Sequence, residues 1–78
     1  MSPTLFRERG FRFYFFSREE RRVHVHVSST RGEAKFWLEP EIELAQSHGL
    51  RESELREVKN LIEERAGEIR DAWRKHFG

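Results

Sequence analysis

Two histidines separated by one residue, His24 and His26, are the sharpest chemical signal in this chain. They alternate with Val23, Val25 and Val27, whose β-branched side chains favour extended backbone. Successive side chains of a strand point to opposite faces, so the two imidazoles project side by side, away from the valines. Such a pair can serve as general base and general acid, or supply two ligands to a divalent cation. A zinc site takes three or four ligands. The remaining candidates (His48, His76, Glu19, Glu20 and Glu39) stand at no diagnostic spacing, so neither a metal nor a cofactor is expected. Cysteine is absent and no serine sits in a Gly-x-Ser-x-Gly elbow, which removes the common routes to covalent catalysis. Metal-independent RNA cleavage asks less: a base for the 2′-hydroxyl, an acid for the leaving oxygen and a cation for the phosphate. His24, His26, Tyr14 and Arg12 can supply these. Paired strand histidines serve structural roles more often than catalytic ones, and catalysis is left open.

The elements that carry these residues follow from periodicity, which changes from 2 to 3.6 near the middle of the chain. Residues 11–16, Phe-Arg-Phe-Tyr-Phe-Phe, follow Gly10 and read as a strand with Phe11, Phe13 and Phe15 on one side. The polar residues 17–22 suit a hairpin connection into the strand 23–28. A second turn at Ser29–Gly32 leads to the strand 33–38, where Ala34, Phe36 and Leu38 continue the buried set. Pro40 cannot donate to a ladder and should end it. Residues 41–44, Glu-Ile-Glu-Leu, alternate as a short fourth strand, with a helical turn over 43–47 as the alternative.

After Gly49, the apolar residues Leu55, Val58, Leu61, Ile62, Ala66, Ile69, Ala72, Trp73 and Phe77 recur three or four apart, predicting one amphipathic helix from about 53 to 77. Acidic residues near its start and basic ones near its end suit the helix dipole, and Gly67 marks a close approach or a weak point. The expected fold is α+β: a three- or four-stranded antiparallel sheet over about 5–45, with one long C-terminal helix packed on one face, as a single domain of residues 1–78. If the helix covers the Phe and Val face, parity leaves Arg12, Tyr14, Phe16, His24, His26, Lys35, Trp37 and Glu39 on the other. Of these, His24 and His26 are the catalytic candidates, and Arg12, Tyr14, Lys35 and Trp37 the binding candidates.

Composition bounds the rest. Seventy-eight residues, 36% apolar and 37% charged, make one modest core without a disulfide. No apolar run approaches the roughly 20 residues of a membrane span, and a soluble cytoplasmic protein is expected. The net charge of +1 conceals an asymmetry: residues 1–32 hold seven arginines against three glutamates, or +4, whereas residues 33–78 hold eight basic against eleven acidic groups, or −3. A basic front and an acidic back can draw in a polyanion or a second copy of the chain.

The segments Pro3–Arg7, Arg12–Ser17, Val23–Val27, Glu33–Pro40 and Ala72–Phe77, taken together and in this order, resemble a family of small prokaryotic proteins catalogued as domain of unknown function 4160. The resemblance spans nearly the whole chain. It implies a compact stand-alone protein associated with toxin–antitoxin-type gene pairs, and brings no reaction with it. Two positions depart from the family pattern. Arg21-Arg22-Val23 stands where prolines usually precede the first histidine, and Arg51 stands where a serine or threonine would cap the helix, which makes Ser53 the expected cap.

Three functions from different classes fit these features. The first is a binding module that uses the aromatic and histidine-bearing sheet face to meet a protein encoded beside its gene, or itself as a homo-oligomer. The second is an RNA-binding protein or metal-independent ribonuclease on the same face. The third, a metal-dependent enzyme, has only the histidine pair in its favour.

Overall fold

The computed structural model describes residues 4–16 and 21–77. The expected hairpin connection at 17–20, with Glu19 and Glu20, lies outside the described residues. Five strands follow one another as an open antiparallel meander in the order β1 (Thr4–Glu8), β2 (Phe11–Tyr14), β3 (His24–Ser28), β4 (Glu33–Trp37), β5 (Glu43–His48). The sheet is thus larger than the three or four strands expected. β1 escapes a search for alternation because its register shifts between Thr4 and Phe6, leaving Leu5 out of step. Its turn into β2 is made by Arg9 and Gly10, both at positive φ (53° and 85°), a pairing whose twist matches that of the flanking strands.

The fourth strand expected at 41–44 is also corrected. β5 begins at Glu43 and runs to His48, with a bulge opposite Lys35 and Phe36. Glycine is required where β4 begins and β5 ends. A Cβ on Gly32 would collide with the carbonyl oxygen of His48, while Gly49, at φ 84°, closes over Arg31 from the other side.

One face of the sheet presents Phe11, Phe13, Phe15, Val25, Val27, Ala34, Phe36 and Leu38 to Val58, Leu61, Ile62, Ile69 and Trp73, and these residues form the core. The single helix expected over 53–77 is two: α1 (Glu52–Glu64) and α2 (Ala66–Phe77), parted at Arg65. The Arg65 N–H is shared between the carbonyls of Leu61 (3.2 Å) and Ile62 (3.1 Å), so the ladder slackens for one residue. The side chain released there pairs with Glu8 of β1 at 2.8 Å and lies 4.1 Å from the centre of the Phe6 ring, tying the helical layer to the first strand. Gly67 is not a close approach, since a Cβ there would meet nothing within contact distance. Arg51, not Ser53, caps α1, its backbone N–H donating to the Glu54 carboxylate at 2.8 Å. Further on, Arg70 donates to the carbonyl of Leu38 (3.0 Å) and pairs with Glu39 (3.4 Å), which fixes α2 across the end of β4. Among the described residues no helix is long and apolar enough to cross a membrane.

Candidate binding face of the sheet

Register decides what the other face carries. Tyr14 pairs with His26, His26 with Lys35 and Lys35 with Gln46, which lays one row of side chains across four strands. A second row joins His24, Trp37 and Glu43. Directly opposed residues share a face, so every candidate from sequence lies on the outer side of the sheet, away from Val25 and Val27.

These side chains form a layer of alternating rings and cations. The Arg12 guanidinium sits 4.4 Å from the centre of the Tyr14 ring, and its Nε donates to Thr4 Oγ1 at 2.7 Å. Tyr14 stacks on His26 with centroids 5.5 Å apart, and Phe16 closes a triangle of rings, 4.4 Å from His26 and edge-on to Tyr14 at 5.3 Å. Trp37 is flanked by Lys35 (4.5 Å) and Arg22 (4.2 Å). The contacts dry the layer: Tyr14 is 6%, His26 8% and Lys35 8% exposed, whereas Phe16 stands out at 42%. A cleft of about 250 Å³ opens between Phe16, Tyr14, His26 and Lys35 on one side and Gln46 and His48 of β5 on the other.

Burial of Tyr14, and secondarily the charge of Glu33, raises its phenol above the ordinary value, with Arg12 and a hydrogen bond with Ser28 pulling the other way. At neutral pH Tyr14 is therefore an un-ionised hydroxyl, a neutral hydrogen-bonding group rather than a base.

The two histidines, expected side by side on the outer face, differ in their surroundings. His24 is 1% exposed. Its ring is closed off by Trp73 of α2, with centroids 5.0 Å apart, and by Trp37 at 5.5 Å, while Nδ1–H donates to the carbonyl of Arg22 at 2.6 Å. Only His26 borders the cleft. The strand alternation placed both rings on one side, but α2 turns round the end of the sheet and seals the first of them. Among the described residues there is no cluster of three or more possible metal ligands.

Sequence reasoning missed Glu33, Gln46 and His48 as neighbours of this site. Glu33 was recoverable, since it shares parity with Lys35 and Trp37 on β4. Gln46 and His48 were not, because the bulge in β5 reverses parity between Leu44 and Gln46. No curated protein and no solved structure matches the chain. The family profile described as Domain of unknown function (DUF4160) matches residues 10–74, and the chain belongs to that family.

Proposed function

We propose that this chain is a small binding module, one half of a two-component pair of the toxin–antitoxin type, and that its outer sheet face receives the partner protein. One observation carries this reading: the buried Tyr14, His26 and Lys35 border a cleft with the Phe16 ring exposed at its mouth. A large aromatic left half in solvent beside the buried Lys35 has the make-up of an interface centre. The face carries Arg7, Arg12, Arg22 and Lys35 against Glu33 and Glu43, an excess of positive charge. It therefore suits a partner segment that carries carboxylates next to an apolar or aromatic side chain.

The test is co-expression with the product of the adjacent gene, followed by calorimetry on the purified pair. Phe16→Ala removes an exposed ring and leaves the core intact, so it should keep the thermal midpoint and weaken binding at least tenfold. Unchanged affinity would show that the partner sits elsewhere.

RNA is the second reading, favoured by the cluster of Phe16, His26 and Tyr14 rings with the Arg12 guanidinium over Tyr14. It requires binding that falls steeply with salt and is lost in Phe16→Ala. Retention of RNA with that salt slope, and no uptake of the neighbouring protein, would replace the first reading by the second.

A further inference from the structure

β5 closes one edge of the sheet, and all six of its residues are exposed. Proteins usually protect such an edge with lysine, proline or an inward-pointing charge. β5, Glu-Leu-Ala-Gln-Ser-His, has none of these, its one protective feature being the bulge, and Leu44 is 43% exposed on it. The bulge gives the edge an unusual symmetry. Leu44 lies opposite Phe36 and Gln46 opposite Lys35, so Ala45 is the extra residue. Consequently Glu43, opposite Trp37, and His48, opposite Glu33, both point to the outer face although they are five positions apart. In an unbulged strand residues five apart point to opposite faces.

We propose that β5 pairs antiparallel with β5 of a second copy of this chain, about a two-fold axis through the bulge. Opposed residues must share a face, and the bulge makes that possible along the whole of β5 in one register: Glu43 meets the second copy's His48 on the outer side, and Leu44 meets its Ser47 on the inner side. The acid–imidazole pair occurs twice by symmetry, and the two Leu44 side chains come within diagonal reach. Glu43 stays available for this contact, since its side chain is 55% exposed while bonded to Arg22. The product is a continuous ten-stranded sheet. Gln46 and His48 line the cleft, so the two clefts become neighbours across the new seam. This pairing does not depend on what the clefts bind.

Sedimentation across a concentration series tests it. Wild type should show a monomer–dimer equilibrium. His48→Glu sets two carboxylates against each other and should raise the dissociation constant at least tenfold, and adding Glu43→His should restore it. Cysteine pairing gives an independent reading, because the chain has no cysteine of its own. A mixture of Leu44→Cys and Ser47→Cys proteins should form a disulfide-linked dimer under mild oxidation, well above either variant alone. A monomer at every concentration, a dimer indifferent to His48→Glu, or equal cross-linking in the mixture and the separate variants would overturn the pairing. None of these results bears on the Phe16→Ala binding test.

Discussion

At the scale of single residues, Tyr14 shows how the outer layer works. It is the only tyrosine in the chain, so the near-ultraviolet phenolate band reports on it alone. Burial, reinforced by Glu33, disfavours its charged form, and the titration midpoint of the folded protein should lie above the ordinary value near 10. The sign for stability follows. As pH rises past about 10, the unfolded chain gives up this proton before the folded one does, so the unfolded state gains and stability falls. Urea midpoints measured on either side of pH 10 should show this decline in the wild type and a smaller one in Tyr14→Phe. A midpoint at or below the ordinary value would mean that the ring is wetter than its 6% exposure implies. His24 makes the complementary point: buried between Trp37 and Trp73 with its Nδ1–H on a backbone carbonyl, it has the environment of a packing residue.

At the scale of elements, two glycines predict opposite outcomes. Gly32 faces the carbonyl of His48 with no room for a methyl group, so Gly32→Ala must push β4 from β5 and should cost about 1–3 kcal/mol. Gly67 sits within α2 with open space around it, so Gly67→Ala should add about 0.5–1 kcal/mol by restricting the unfolded chain. Urea denaturation of both variants checks the pair, and a loss at Gly67 or a gain at Gly32 would contradict the packing described. The same elements show what the sequence makes legible. Unbroken alternation from Val23 to Val27 and from Ala34 to Leu38 sorted core from outer face, because a single period governs those stretches. β1 and β5 each contain a register shift, which erases the period that identifies a strand. Arg65 breaks the helix for a tertiary reason, its contacts with Glu8 and Phe6 from the far edge of the sheet, and no local pattern records these. The cleft was half legible for the same cause: Tyr14, His26 and Lys35 come from regular strands, Gln46 and His48 from the bulged one.

At the scale of the whole molecule, the core and the outer face meet at one end on Trp73, beside the Arg70 contacts with Leu38 and Glu39. Trp73 packs edge-on to Phe15 of the core at 5.3 Å and against Phe77 at 4.2 Å, and the same ring closes over His24, whose neighbours belong to the outer face. Cutting a buried tryptophan back to alanine costs about 3–5 kcal/mol. A chain of 78 residues has a total stability of only about 4–12 kcal/mol, at the usual 0.05–0.15 kcal/mol per residue. Trp73→Ala should therefore remove a large share of the folding free energy, release α2 from the sheet end and open His24 to solvent. Trp37 offers a control: it is half-buried on the outer face between Arg22 and Lys35, touches His24 as Trp73 does, and lies outside the apolar core. Trp37→Ala should cost distinctly less. Urea unfolding followed by far-ultraviolet circular dichroism, with amide hydrogen exchange across α2, separates the two variants. Equal losses would mean that the outer layer is as firmly packed as the core, and that the sheet end is not where the two faces are held together.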